Sequence, residues 1–439
     1  MEYCLNENCF PDEWKKGTLI NIAKPNCDHK QHTNYRPITL LPVLGKIYEK
    51  ILRNTLTKVV GEKIPKHQFG FKEKCSTLHP LMILASNIET AKHQNLKTAA
   101  LFMDIEKAFD NVWHKGLLYK LHKLKTPRYL INIIKKFLEN RTIQIRVNSY
   151  KSAHFSPEQG VPQGSPLSPL LYNIYCLDIV DNNNIDKSKY VLQFADDTSL
   201  ISHASTIEDA ANKLQNLIND IEKWFQKWRL IPNPLKSQYI LFNHTIQATS
   251  PQVSVFNQPI RPKPNAKYLG IDIDAKLNLK NYTKKTKSET IGRAKQFRSL
   301  TYKNQGINIK TAKKNYKSIC RPILEYGHAI FLNLRPPAMK NICVAETSAL
   351  RAITKIRHPQ NELHNPSNEL LYQKTNIQPI KERIYHLTGK FVSRPQNLHI
   401  IEPHCRTSIQ IQISPANNIR KTARLKTTLL IYIMYNQIT

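Results

Sequence analysis

The spacing of apolar residues changes period several times along the chain, and each change predicts an element. Thr98 to Ile105 runs Thr-Ala-Ala-Leu-Phe-Met-Asp-Ile, a nearly unbroken apolar stretch that predicts a buried strand. A helix is expected from about His114, and another over Pro127–Glu139 with Pro127 in its first turn. Thr142–Asn148 alternates polar and apolar residues, the mark of a half-buried strand. Leu170–Val180 reads as a buried helix. Tyr190–Phe194 and Thr198–Ser202 are short strands around Ala195-Asp196-Asp197, which predicts a hairpin with acids at its turn. Over Ile207–Trp228, Leu214, Leu217, Ile218, Ile221, Trp224 and Phe225 recur at helical spacing, so an amphipathic helix is expected. Tyr239–Phe242 and Tyr268–Ile273 are strand-like, whereas Pro232 and Pro234 through Pro264 predict a loop-rich stretch. From Leu277 the pattern is helical and basic, and beyond about Pro359 it is rich in Asn, Pro and His. Strand, helices, hairpin, helix, strand is the order of a split βαβ core of ferredoxin type, an α+β arrangement.

Composition narrows the partners. The chain has 439 residues, enough for roughly three domains or one large multi-lobed unit at ~150 residues each. With 41% hydrophobic residues it can build a sizeable core. Lys and Arg number 65 against 32 Asp and Glu, a net charge of +33. That excess predicts an acidic partner, nucleic acid before a membrane surface; a solvated lysine-rich exterior is the alternative. Lys267–Arg321 alone holds 15 basic and 3 acidic residues. No apolar run reaches the ~18 residues of a membrane-spanning helix. Glu2, Asn6, Glu7 and Asn8 do not suit a signal peptide. The cysteines at 4, 9, 27, 75, 176, 320, 343 and 405 form no CxxC pair, so neither zinc binding nor a disulfide framework is expected. Free thiols in a reducing intracellular compartment, nucleus or cytoplasm, fit this usage.

Two constellations carry candidate chemistry. Asp104 ends a buried strand, and Asp196 and Asp197 occupy a hairpin turn between apolar strands. Two carboxylates ~4 Å apart repel by roughly 4 kcal/mol at an effective dielectric of ~20. A divalent cation removes that repulsion, and hard oxygen ligands suit Mg²⁺. Adjacent strand residues face opposite ways, so the turn must re-aim Asp196 or Asp197 if both are to act on one site. Ordinary turn chemistry is the competing reading of the Asp pair. The second constellation is Gly160-Val161-Pro162-Gln163-Gly164-Ser165-Pro166-Leu167-Ser168-Pro169. Its glycines permit close backbone approach, to a ligand on this reading, and its prolines stiffen the loop. Ser165 or Ser168 can cap the helix that follows.

Phe102-Met103-Asp104-Ile105-Glu106-Lys107-Ala108-Phe109-Asp110, the Gly160–Pro169 run and Phe194-Ala195-Asp196-Asp197, in that order, resemble motifs A, B and C of reverse transcriptases. The flanking residues narrow the resemblance to non-LTR, LINE-type, jockey-like retrotransposons. Asn34-Tyr35-Arg36-Pro37-Ile38-Thr39-Leu40-Leu41-Pro42, Gly45–Leu52 and Gln68-Phe69-Gly70-Phe71 resemble finger motifs. Asn111–Leu118 continues motif A, Asn233-Pro234-Leu235-Lys236-Ser237 resembles motif D, and Lys267-Tyr268-Leu269-Gly270 resembles motif E. Arg321–Gly327 is similar to the thumb-side region. The likeness covers roughly residues 10–360.

The resemblance implies a right-hand polymerase fold: fingers over 1–97, palm over 98–275 with 111–160 partly fingers, a basic helical thumb over 276–360, and a helical C-terminal region over 361–439. It implies an RNA template, a DNA primer, dNTPs and Mg²⁺, or Mn²⁺ in its place, with no membrane. Asp104 and Asp196 would hold two metal ions, assisted by Asp197 and by the carbonyl of Ile105; Asp110 is a helix cap or packing acid. Phe109 falls at the steric gate that excludes a ribose 2′-hydroxyl, and is equally suited to the core. Gln163 and Gly164 would lie along nucleotide and template, Lys236 would protonate pyrophosphate, and Lys24, Arg36 and Lys46 would contact triphosphate. Phe194 would meet the primer terminus, and Lys284, Lys285, Lys287, Arg293, Lys295 and Arg298 would track the duplex backbone. There are departures: Phe194 replaces the usual Tyr, Lys72 the usual Arg, Cys75 the usual His, and Pro80 the usual Gln. The chain opens inside the first finger motif, which predicts a truncated copy without the upstream endonuclease. A catalytically inert nucleic-acid-binding remnant and a viral RNA-templated RNA polymerase are the alternative readings.

Overall fold

The computed structural model describes residues 1–24, 28–31, 34–180, 188–297, 307–354, 356 and 365–401. Strands β1 (Lys16–Ala23), β2 (Tyr35–Leu40), β3 (Lys97–Glu106), β4 (Thr142–Val147), β5 (Tyr150–Lys151), β6 (Lys189–Phe194), β7 (Asp197–Ala204) and β8 (Ile231–Phe242) form two sheets of four. One has the order β2-β1-β4-β5, with β1 and β4 parallel. The other is antiparallel in the order β6-β7-β3-β8, with β3 flanked on both sides. Hairpins β9–β10 (Val253–Val255, Gln258–Ile260) and β11–β12 (Asn265–Tyr268, Ile271–Asp274) follow.

The unbroken apolar run of β3 has a direct cause. Ala99, Leu101, Met103 and Ile105 face one core, shared with Leu171, Leu214, Leu217 and Phe225. Ala100 and Phe102 face another, with Leu81, Ile88, Tyr268 and Phe331. The sheet is thus a middle layer covered on both faces. Each large aliphatic or aromatic side chain buried this way contributes about 1.5–3 kcal/mol. The Ile207–Trp228 helix covers one face, with the bounds its periodicity predicts and with Thr206 capping the Asp209 N–H. The Leu78–His93 helix serves the other face. Pro80 sits in that helix's first turn, where a missing N–H breaks no intrahelical bond, so it does not act as a breaker.

Several expectations change. The stretch after Pro232 is not loop: β8 extends from Ile231 to Phe242 and includes both Pro232 and Pro234. It is the last strand of its sheet, where a proline loses no ladder bond on the outer side. Tyr268–Ile273 is a hairpin rather than one strand, because Leu269 (φ 46°) and Gly270 (φ 82°) make a two-residue turn with both φ positive. The helix expected over Leu170–Val180 runs from Ser168 to Tyr175. Lys120, only 1% exposed, ends it by donating to the Tyr175 carbonyl while pairing with Asp178 at 2.6 Å. Pro127 caps the Arg128–Leu138 helix from outside rather than sitting in its first turn.

Beyond β12 the described chain is helical. Lys280–Gln296 packs Tyr282, Thr283, Thr286, Thr290 and Ala294 inward, and the Pro336–Thr354 helix lies against it. Helices at Asn368–Thr375, Ile380–Val392 and Pro395–Ile401 follow. Residues 361–364 and 402–439 lie outside the described residues. Among the described residues no helix is long and apolar enough to cross a membrane. Cys4, Cys9, Cys75, Cys176, Cys320 and Cys343 are free.

One buried acid ties the two sheets' surroundings together. Glu49, on the Val43–Val60 helix, is 0% exposed and accepts a hydrogen bond from the Ser165 hydroxyl. Ser165 Oγ in turn accepts the Leu167 and Ser168 N–H groups, each at 3.1 Å, so Ser165 does cap the start of the helix. Burial pushes the Glu49 carboxyl from 4.5 up to about 7. An unfolded chain therefore releases, between those two values, a proton that the folded chain keeps, and folded-state stability declines as pH rises through this window. Glu49→Gln removes the effect. By urea melts, the variant should exceed the parent by about 3 kcal/mol at pH 8, with the gap closing near pH 4.5. A pH-independent difference would contradict the assignment.

Candidate active site

The register of the central sheet brings the three aspartates to one end. β3 and β7 pair as far as Met103 with Thr198, so Asp104 lies one residue past the last pair. β6 and β7 close with Phe194 opposite Asp197, leaving Ala195 and Asp196 as the turn. Ala195 has φ 60°, the left-handed conformation that a tight hairpin requires. The turn thereby lifts Asp196 out of the alternation of the strand, as the sequence demanded, while Asp197 begins β7.

The electrostatics record the crowding. Burial in the cleft raises the Asp196 pKa first, and the Asp104 charge raises it further; its own backbone N–H and Arg36 pull it back. Asp197 is pushed up to about 6 by desolvation, then by Asp196, then by Asp104. The Asp197 side chain reaches solvent, yet its carboxyl is hemmed in by the cleft and by like charge.

Lys236 approaches from β8. Pairing jumps from Phe102–Gln238 to Asp104–Asn233, so Pro234–Ser237 bulge out of the ladder. Asn233 pins the bulge: its Oδ1 accepts the Lys236 N–H at 3.2 Å and its carbonyl accepts the Ser237 hydroxyl at 2.8 Å. The Lys236 ammonium then stands 3.7 Å from Asp104. Gln238, Lys267 and Tyr268 complete the wall of a cleft that also contains Phe102, Met103, Asp104 and Asp197. Lys267 opens the Lys267–Gly270 stretch singled out in the sequence, where nothing marked its side chain as a wall of this cleft. Ile105 is buried and lies opposite Pro232 in the register.

The donor set fits a hard divalent cation. Among the described residues no three His, Cys, Asp or Glu side chains close a cage by themselves. Mg²⁺ asks for less, one or two carboxylates with water and substrate phosphates supplying the rest. The mutual repulsion of Asp104, Asp196 and Asp197 is the kind such an ion relieves.

Other nominated residues divide. Phe109 is half-buried, stacked on Tyr172 at 4.9 Å and edge-on to Phe71 at 5.9 Å. Gln163 Nε2 donates to both carboxylate oxygens of Asp110 at 3.1 Å, so Asp110 orients Gln163 and is not a helix cap. The motif glycines lie close to the chain's own backbone. A Cβ on Gly160 would meet the Asp110 carbonyl at 2.5 Å, and one on Gly164 the Thr39 carbonyl at 2.5 Å. Arg36 is exposed on β2 within electrostatic reach of Asp196. Lys46 lies within electrostatic reach of Glu49, and Lys24 follows β1, its N–H bonded to the Asn34 carbonyl at 2.8 Å. The Phe194 ring packs on the core beneath the turn. On the Lys280–Gln296 helix, Lys284, Lys285, Arg293 and Lys295 are exposed and Lys287 is half-buried; Arg298 lies outside the described residues.

Residues 22–273 match the family described as reverse transcriptase (RNA-dependent DNA polymerase), and the chain belongs to that family. It is 30% identical over 428 residues to the probable RNA-directed DNA polymerase from transposon BS of Drosophila melanogaster, spanning 94% of this chain and 45% of that one. It is 31% identical over 357 residues to the RNA-directed DNA polymerase from mobile element jockey of the same species, spanning 80% of this chain and 39% of that one. The chain thus spans less than half the length of these relatives. Apo telomerase from Candida Tropicalis aligns over 89% of this chain and 64% of that one, at 14% identity and a TM-score of 0.49.

Lys236 and Asp104 are 58% and 42% exposed, so water screens the pair. Lys236→Ala should therefore change unfolding free energy by less than about 1 kcal/mol in urea melts. A loss several times larger would show that the ammonium holds the β8 bulge in place.

Proposed function

We propose that this chain is an RNA-directed DNA polymerase of jockey-like, non-LTR type, extending a DNA primer on an RNA template with dNTPs. The observation that carries this reading is the meeting of Asp104 with the Asp196-Asp197 turn across β3 and β7, in a chain of the reverse transcriptase family. On this reading the central sheet and its helices are the palm, the β2-β1-β4-β5 sheet and its helices the fingers, and the Lys280–Gln296 helix with its neighbours the thumb.

The residues divide the work as follows. Asp104 and Asp196 present carboxylate oxygens to two divalent cations, Mg²⁺ or Mn²⁺, with Asp197 and the Ile105 carbonyl assisting. Cations bound there supply charge neutralisation for the triphosphate and lower the pKa of the primer 3′-hydroxyl. Lys236 gives a proton to the departing pyrophosphate; its ammonium beside Asp104 supports that role. Arg36, whose charge reaches Asp196, meets the triphosphate, with Lys24 and Lys46 as further candidates. Gln163, oriented by Asp110, and Gly164 line the nucleotide and template. Phe109 is braced on Tyr172 and so can present a rigid edge to a ribose 2′-hydroxyl. The exposed cations of the basic helix contact phosphates without reading sequence, and Phe194 underlies the primer end.

Primer extension on poly(rA)/oligo(dT) with the purified chain tests the assignment. Asp196→Asn should abolish incorporation while template–primer binding survives; undiminished extension by this variant would sink the reading. Binding without incorporation by the parent chain itself would instead mark an inert remnant. Phe109→Ala should raise rNTP incorporation relative to dNTP by at least tenfold, because the ring is the edge that meets the 2′-hydroxyl. An unchanged ratio would leave Phe109 as a core aromatic only.

A further inference from the structure

The left-handed turn that carries Asp196 and Asp197 is gripped by a residue 127 positions away in sequence. The segment around Gln68 runs alongside β6: the Phe69 N–H donates to the Gln193 carbonyl, and the Gln193 N–H to the His67 carbonyl, each at 2.8 Å. This alignment lays the Gln68 carboxamide on Ala195. Its Oε1 accepts the Ala195 N–H at 3.0 Å and the Gly70 N–H at 2.8 Å, and its Nε2 donates to the Ala195 carbonyl at 3.4 Å. Gln68 is 1% exposed, so water cannot replace these bonds. The approach needs a glycine: a Cβ on Gly70 would lie 2.0 Å from the Ala195 nitrogen. Asn173 anchors the segment from behind, its Nδ2 donating to the Gly70 carbonyl at 2.9 Å.

Ala195 has φ 60°, a conformation that a residue with a Cβ keeps only when its surroundings over-determine it. One carboxamide meets both the N–H and the C=O of that residue. The Ala195 carbonyl belongs to the peptide that leads into Asp196, so rotation there would swing the carboxylates of Asp196 and Asp197 away from Asp104. We propose that Gln68 is a positioning residue, whose side-chain amide locks the Ala195 turn and thereby aims Asp196 and Asp197. Gln68 is placed to act through the turn, because both ends of its carboxamide are taken up by backbone groups. Its consequence for rate rests on the polymerase reading above; its consequence for the turn does not.

Gln68→Met keeps the bulk and removes the hydrogen bonds. Hydrogen–deuterium exchange of the peptide spanning 193–199 should quicken at least tenfold, while the Ile207–Trp228 helix exchanges as in the parent. In primer extension, kcat should fall at least tenfold with the KM for dNTP within twofold. Adding Ala195→Gly, which adopts positive φ without steric penalty, should recover most of the lost kcat and not the exchange protection. If Gln68→Met fails to fold, Gln68→Asn, which keeps the amide and shortens its reach, should show the same exchange signature. Parent-like exchange at 193–199 in a folded Gln68 variant would overturn the proposal, as would a double variant no faster than Gln68→Met. A parent chain that makes no DNA would defeat the polymerase reading alone, because the exchange measurement still decides the role of Gln68.

Discussion

Asp104, Asp196 and Asp197 crowd one end of a sheet whose interior is apolar, and much of the surrounding structure answers their mutual repulsion. Each is carried there by an element with little freedom to move. β3 is held between two cores, and the β6–β7 hairpin turns through a residue with φ 60°. The result is a pair of carboxyls with raised pKa values, Asp196 and Asp197, faced by cations that are near but not locked. Lys236 sits on a bulge, Arg36 on an exposed strand, and Lys267 on the wall of the cleft. A site built this way favours a mobile counter-charge over a permanent salt bridge, and on the proposed reading an exchangeable cation with a triphosphate supplies it.

Where the signal was a period, the sequence was readable. The Ile207–Trp228 helix and strand β3 appear with nearly their predicted bounds, because amphipathicity and double-sided burial leave a direct imprint on residue order. The misreadings have two causes, an edge position in the sheet and an unmarked turn. Pro232 and Pro234 argued for loop, and an edge position made them tolerable in β8. Tyr268–Ile273 looked like one strand until two residues with positive φ folded it into a hairpin. The carboxylates were legible as a set because spacing and resemblance pointed to them together. Gln68, Asp110 as the partner of Gln163, and the Glu49–Ser165 contact were not. Each is a single polar residue whose role is defined by a partner distant in sequence, and no periodicity marks such a pair.

The glycines of the Gly160–Pro169 loop teach a related lesson. Gly160 and Gly164 lie close to the chain's own Asp110 and Thr39 carbonyls, an approach that periodicity does not mark. The Thr39 N–H also donates to the Gln163 carbonyl at 2.7 Å, so the loop is stitched to β2. The Val161 N–H likewise donates to the Phe109 carbonyl at 2.8 Å. The aromatic contacts Phe71–Phe109–Tyr172 extend the same brace. Much of the net charge of +33 lies elsewhere, including the exposed face of the Lys280–Gln296 helix, where its partner on the proposed reading is a phosphate backbone.

That Asp104 and Asp196 jointly hold divalent cations is the claim on which the functional account turns. The most direct measurement is anomalous diffraction from crystals grown with Mn²⁺, a template–primer ending in a 2′,3′-dideoxynucleotide, and the matching dNTP. The account predicts anomalous peaks within coordination distance of carboxylate oxygens from both Asp104 and Asp196, next to the triphosphate. Peaks confined to the triphosphate, with the two carboxylates turned away and unligated, would contradict it.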